Sequence, residues 1–445
     1  MSAIPAPSRP RQTQLLYGKG TITLDLPDNA VLLETPAVPA LPDARQSTLD
    51  ALRNPIGSVS LREMARAKKP ENVVITISDI TRPVPNEVLV TAILEELGEA
   101  GVSDDQCTVL IATGMHRSST MEERKIMLGD ALLERIRVVD HEADDLSSVV
   151  KVSENPPVGV NRLYVEADLK IVTGLIEPHF MAGFSGGRKG ICPGLVDLDA
   201  VQRFHGYGVM ADPNSVEGRL EGNPCHEEAM RVAQLVGCDF LVNCAITHDR
   251  RPAGIYAGEM VEAHLAGCAQ VAEWNSAAIE EPADLVVTNA GGFPLDTSFY
   301  QTVKGMVTAL PAIADGGELV IATAMHEVGS GEYTELMHRY EGDWRRFLAD
   351  IEAAEGTSKD QWEFQMQTRV LDRVGVEGLH VVGDGMPKEN QARLCISPVS
   401  GPGKVQARLQ RFVDDYVDLN PGSRIAVIPQ GPYTMIRAAT LRSVC

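Results

Sequence analysis

Short β-branched runs alternate with helix-period segments along most of this chain, and that alternation constrains the fold more than any other feature. ENVVITISD (71–79) has the pattern of a buried strand, and NEVLVTAILEELGEAG (86–101) follows with apolar residues at helical spacing and a glycine stop. CTVLIATG (107–114) and MEERKIMLGDALLERI (121–136) repeat the pair, and IRVVDH and LKIVTGLIEP (169–178) add further strands. The pattern resumes with ADLVVTNAGG (283–292), SFYQTVKGMVTALPAI (298–313), GELVIATA (317–324), LHVVGDG (379–385) and RIAVIPQG (424–431). Alternation of this kind predicts α/β layers with largely parallel sheets. At 445 residues the chain exceeds one ordinary core. Two mixed α/β domains are expected, with an active-site cleft between them. The break falls in SAAIEEPAD near 276–282. This gives an N-terminal catalytic and cofactor-binding domain over 1–277 and a C-terminal domain over 278–445, whose last residues return to pack on the first.

The charge balance narrows the partners. A formal net charge of −21 repels nucleic acid and anionic membranes, so neither is expected as a partner. An anionic substrate would need a site of concentrated positive charge. No run of about 18 apolar residues is present, and MSAIPAPSRPRQTQLLYGKG lacks the apolar stretch of a signal peptide. The eight cysteines (107, 192, 225, 238, 244, 268, 395 and 445) form no CxxC pair. They are expected to be reduced thiols in a cytoplasmic protein.

Reactive side chains cluster after the predicted strands. Asp79, Thr81 and Arg82 follow the first, His116 and Arg117 follow VLIATGM, and His179 follows IVTGLIEP. Ligands of open α/β sheets bind beyond the carboxyl ends of the strands. The stretch EPHFMAGFSGGRKGICPG (177–194) then sets Lys189 among glycines, with His205 sixteen residues beyond it. GFSGGRKG is not a P-loop: Arg188 stands where that motif has glycine, and Gly190 replaces its hydroxyl residue. Nor does it match the Rossmann fingerprint. Ser185, Gly186 and Gly187 can bring backbone amides close to a phosphate. A lysine amine held there is a nucleophile toward an activated carboxyl or thiocarboxyl group. His205 offers a neutral imidazole to a soft metal, and it makes a metal site only if other donors come from elsewhere.

These residues, with SDITRP (78–83), TGMHR (113–117), RFHG (203–206), EGNPCHEE (221–228), GGFPLD…FYQTVKG (291–305) and DQW (360–362), occur in the order of a known family. The chain resembles the nickel-dependent lactate racemases, the nickel-pincer 2-hydroxyacid racemases and epimerases, over nearly its whole length. The resemblance implies inversion of the C2 stereocentre of a lactate-like 2-hydroxyacid by hydride transfer to and from a nickel-pincer nucleotide. It implies a covalent bond from that cofactor to Lys189, nickel bound by His205, and His116 and His179 as the acid/base pair. It further implies substrate anchoring by Arg82, Gln301 and Lys304, a side-chain pocket shaped by Tyr300 and Trp362, and Asp79 orienting Arg82 or lying in the cofactor pocket. Cofactor-biosynthesis enzymes are implied as maturation partners. Two rival functions stay open at this level. One is a zinc-dependent hydrolase using His116, His179 and His205 as a three-histidine site. The other is a non-catalytic anion-binding protein on the same fold.

Overall fold

The computed structural model describes residues 11–438, except the side chains of Lys388 and Glu389. Both blocks of alternating pattern become mixed α/β units with largely parallel sheets, as the periodicity predicts.

One unit comprises residues 36–274. Its six strands lie in the order Pro252–Gly258, Phe240–Ile246, Leu169–Leu175, Val73–Ser78, Cys107–Ala112, Arg137–Asp140. All neighbours are parallel except the first two, which form an antiparallel edge. Central strands need apolar residues on both faces because helices cover both. Val73 to Ile77 are accordingly buried without alternation. Ile75 pairs with Ile171 on one side and Val109 on the other. The helix Asn86–Glu99 buries Leu89, Ile93 and Leu97 on this sheet's core. Strand order reverses between Val73–Ser78 and Leu169–Leu175, and such switch points open a crevice at the carboxyl ends of the strands.

The other unit comprises residues 11–35 together with 275–438. Its six strands are all parallel, in the order Ser397–Pro398, Leu379–Val382, Ile313–Ala322, Ala283–Asn289, Ile425–Val427, Ala30–Leu32. A hairpin, Gln12–Tyr17 with Gly20–Asp25, buries Leu15 and Leu24 in the core of the same unit beside Leu285, Leu409 and Val427. The break between the units falls after Trp274. The division differs from the expected 1–277 domain at the N-terminus, because residues 11–35 build onto the C-terminal half. The hairpin's apolar face and the Ala30–Leu32 edge strand find their partners there. The expected return of the last residues to the first domain lies outside the described residues.

The helix Phe299–Ala309 packs so closely on the strand Ala283–Asn289 that a Cβ on Gly305 would lie 2.7 Å from the Asn289 carbonyl oxygen and 3.0 Å from Ile321 Cδ1. Helix propensity alone predicts that Gly305→Ala stabilises by about 1 kcal/mol. We expect the opposite sign, a loss of about 1–3 kcal/mol from overpacking, in denaturant unfolding of the two proteins.

Candidate active site

The segment 183–194 is laid directly across the strand ends at the switch point. The Gly186 Cα is 3.4 Å from where a Cβ on Gly174 would be, and a Cβ on Gly190 would be 2.7 Å from Val172 Cγ1. The Gly114 amide donates to the Gly194 carbonyl at 3.0 Å, closing the segment against the next strand. Gly186 and Gly187 both have positive φ, 74° and 55°, and a Cβ on Gly187 would fall 2.6 Å from the His264 ring. Their glycine identity is therefore a packing requirement. The Gly187 N–H donates to Asn243 Oδ1 at 2.8 Å, and the Lys189 N–H to the Gly186 carbonyl at 3.1 Å. The Ser185 hydroxyl donates to the Leu175 carbonyl at 2.7 Å and accepts from the Glu177 N–H. These groups lace the loop to its strand, so the sequence expectation of an amide cradle for phosphate at Gly187 gives way to a cradle for the protein itself.

Asp79, at the end of its strand, does not orient Arg82 as expected: its carboxylate meets His116, while the Arg82 guanidinium pairs with Glu177. His116 Nδ1 lies 2.7 Å from Asp79 Oδ2, and Thr81 donates to the same carboxylate. Burial alone would raise the Asp79 carboxyl. The hydrogen bond and charge of His116, with Thr81 and Arg82, outweigh it and hold the carboxyl below the ordinary range. An ionised carboxylate on Nδ1 fixes the tautomer of the neutral ring, with the proton on Nδ1 and the lone pair on Nε2.

His179 is set the other way round. Its Nδ1 faces the backbone N–H groups of Ala182 (3.3 Å) and Met181 (3.5 Å), and its Nε2 lies 2.9 Å from Lys189 Nζ. An Nδ1 that accepts leaves the ring proton on Nε2. The ring stacks on Phe180, with centroids 5.2 Å apart. Arg82 forms an ion pair with Glu177, a residue that sequence reasoning passed over although it stands two places before His179. The Glu217 carboxyl is pushed well above the ordinary carboxylate range, first by burial and then by Glu177.

His205 caps the helix Leu198–Phe204. Its Nδ1–H donates to the Val201 carbonyl at 2.8 Å, which leaves Nε2 as the basic nitrogen. Burial, chiefly, pushes the imidazole down to about 3, so it is neutral at working pH, as a metal ligand must be. Among the described residues no three His, Cys, Asp or Glu side chains are grouped to hold a metal ion. The three-histidine zinc site is therefore not what this fold builds: the ring nitrogens of His116 and His179 are oriented by Asp79, the backbone and Lys189. A metal on His205 needs donors from a cofactor. His141 is structural, tied to the Val196 carbonyl and Asn161. The His226 N–H donates to Asn223 Oδ1 at the start of the helix Pro224–Val236, and its side-chain Nδ1 is buried. The seven described cysteines are free thiols.

The remaining predicted residues belong to the unit of residues 11–35 and 275–438. Gln301 and Lys304 stand one turn apart on Phe299–Ala309, whose first turn is capped by Ser298. Tyr300 packs edge-to-face on Tyr333 at 5.0 Å. Trp362 is 6% exposed on the helix Gln361–Val374. That helix also buries Gln361, Glu363, Gln365 and Gln367, so the surroundings of Trp362 are more polar than Tyr300 and Trp362 alone imply. Glu363, missed in the sequence, is pushed up to about 8 by burial, against the opposing charge of Lys304.

Set beside known proteins, this architecture is that of a racemase-type isomerase. Residues 17–218 match the family described as Lactate racemase N-terminal domain, and residues 278–431 match Lactate racemase C-terminal domain. A lactate racemase of Thermoanaerobacterium thermosaccharolyticum is 33% identical over 433 residues, covering 95% of this chain and 99% of its own. One of Lactiplantibacillus plantarum is 34% identical over 368 residues, covering 80% and 85%. The structure of the T. thermosaccharolyticum apoprotein superposes with a TM-score of 0.86 at 30% identity, over 96% of this chain and all of that one. A Thermotoga maritima protein shares the fold alone, at 18% identity and a TM-score of 0.66. The chain belongs to the lactate racemase family, which works with a nickel-containing cofactor. Among the described residues no helix is long and apolar enough to cross a membrane.

The Asp79 carboxyl, lower in the folded than in the unfolded chain, contributes stability above the unfolded value and loses it as pH falls. Wild type should therefore exceed Asp79→Asn in stability at pH 6, and the difference should shrink at pH 3, measured by urea unfolding at both.

Proposed function

We propose that this protein inverts the C2 stereocentre of a small 2-hydroxyacid, lactate or a close analogue, with His116 and His179 as its acid/base pair. The observation that carries this reading is their opposite hydrogen-bonding state. Asp79 leaves His116 with a lone pair on Nε2, and the backbone leaves His179 with a proton there. Racemisation needs one group to take the hydroxyl proton and another to return one, with the roles exchanged for the other enantiomer. Neutral imidazoles suit both tasks near neutral pH.

The residues also fit the nickel-pincer nucleotide. Lys189 presents a buried-edge amine for a covalent tether, and His205 a neutral imidazole for nickel. Among the described residues no protein-only metal cluster competes with that arrangement. When bound, the cofactor supplies the two-electron acceptor and donor that no side chain here provides. Arg82, held by Glu177, offers its fork to the substrate carboxylate. Gln301 and Lys304 are assigned to the carboxylate and hydroxyl, and Tyr300 and Trp362 to the substrate side chain. His116 Nε2 takes the hydroxyl proton, and Asp79 stabilises the imidazolium that results. Loading of the cofactor falls to separate biosynthetic enzymes.

The test uses protein produced together with those enzymes. Lys189→Ala should lose both the cofactor's mass and racemisation, read by intact mass and polarimetry. His116→Asn should keep the mass and lose about 10²–10⁴-fold in turnover. Full activity from a chain whose Lys189 amine is bare would overturn the reading.

A further inference from the structure

Arg188 is the largest fully buried side chain in the described structure, with no exposed surface. Its guanidinium donates to the Ala182 carbonyl at 2.8 Å and the Gly186 carbonyl at 3.4 Å, and lies 3.2 Å from His264 Nε2. His264 Nε2 also lies 2.9 Å from the Ser185 carbonyl, and its ring nitrogens face the Cys268 thiol. Among the described residues no carboxylate pairs with Arg188, and its Nε has no partner. Burying an unpaired cation is costly, and burial draws Arg188 down only to about 10, still charged at neutral pH. Hydrophobic residues would close this space at less cost. The charge therefore calls for a use.

The adjacent residue supplies one. Lys189 Nζ lies 2.9 Å from His179 Nε2, and His179 Nδ1 already faces two backbone N–H groups. With Nδ1 accepting, the neutral ring has its only proton on Nε2. That proton can be directed at Lys189 only if the amine has a lone pair to receive it. An ammonium at Lys189 would set donor against donor. With His179 neutral and accepting at Nδ1, this hydrogen-bond pattern fits an uncharged amine. We infer that Arg188 is a positioning residue that holds Lys189 as a neutral, nucleophilic amine before anything is attached to it, while His179 aims its lone pair.

The groups around the amine support this. Arg82 and Arg188 are the charges that disfavour a third cation, after burial itself. Glu177, the nearby carboxylate, is engaged by Arg82. Cys225 is pushed up to about 11 and Cys192 further, both by burial, so neither thiol supplies a compensating negative charge. His205 is neutral. The use of the amine as a tether rests on the function proposed above, whereas its neutrality does not.

The experiment is trace labelling of the cofactor-free full-length protein with 1-fluoro-2,4-dinitrobenzene from pH 6 to 11, read residue by residue by peptide mass spectrometry. Exposed Lys69 and Lys404 serve as internal references. At pH 8 Lys189 should have reached a fraction of its own limiting rate about tenfold or more above theirs, since tenfold corresponds to one pH unit. Arg188→Met should move the Lys189 profile back toward the references, and Arg188→Lys, which keeps the charge, should retain most of the advantage. A merely structural role would change the limiting rate without moving the midpoint. Coincidence of the wild-type Lys189 profile with the surface lysines overturns the inference, whether or not the methionine variant folds. An unmoved midpoint in folded Arg188→Met overturns it equally. Should Lys189 lack the advantage yet acquire the cofactor's mass, the inference falls and the proposed function stands. The reverse outcome separates them the other way.

Discussion

The segment 183–194 lies within a methyl group's reach of three strands, and the setting of His179 follows from that contact. Gly186, Gly187, Gly190 and Gly194 each face a neighbour that a side chain would strike, from Asn243 and His264 to Val172 and Ala112. Because the loop comes so near, its polar groups must be satisfied by the sheet and not by solvent. Ser185 answers Leu175, and Gly187 answers Asn243. Lys189 and His179 emerge from this laced backbone with little freedom. A histidine whose Nδ1 is occupied by the same loop cannot choose its tautomer. The chemistry assigned to His179 is thus a consequence of how tightly glycine lets two stretches of backbone approach.

His116 reaches its complementary state by a different route. It is considerably more exposed than His179, and no loop encloses it. A carboxylate at the end of the neighbouring strand fixes it instead, and that carboxylate is itself braced by Thr81. Parallel strands place both histidines beyond the carboxyl ends of one sheet because parallel strands all end on the same side. The strand order reverses between the strands that precede them, the kind of place where open α/β sheets bind their ligands. Fold and site are connected here through strand direction more than through any single contact.

Much of this was readable from the residues alone. Runs such as VVITIS and LKIVTGL announce buried parallel strands, and the polar residues following them lie where the sheet delivers its ligands. Other features were not legible for physical reasons. Asp79 meets His116 across thirty-seven positions, a pairing that depends on two strands being neighbours. Arg188 reads as an ordinary surface cation in SGGRKG, because nothing local says that His264, seventy-six residues on, will cover it. The glycines invited a phosphate reading since amides in tight turns often serve anions. Only the position of Asn243 shows where the Gly187 amide goes. FLVNCAI, the strand carrying Asn243, passed unnoticed in the sequence, and with it went the partner that explains the loop. The 11–35 segment was misplaced because chain proximity is a poor guide once a hairpin's apolar face can be covered by residues hundreds of positions away.

That last arrangement bears on how the polypeptide assembles as it leaves the ribosome. Residues 36–274 form a self-contained unit whose strands are all made before synthesis reaches residue 275. Leu15 and Leu24, although made first and paired within their hairpin, and the Ala30–Leu32 edge have no core to pack on until Leu285, Leu409 and Ile425–Val427 emerge. The apolar face of this N-terminal hairpin must therefore wait uncovered through most of translation, and the order of packing runs against the order of synthesis.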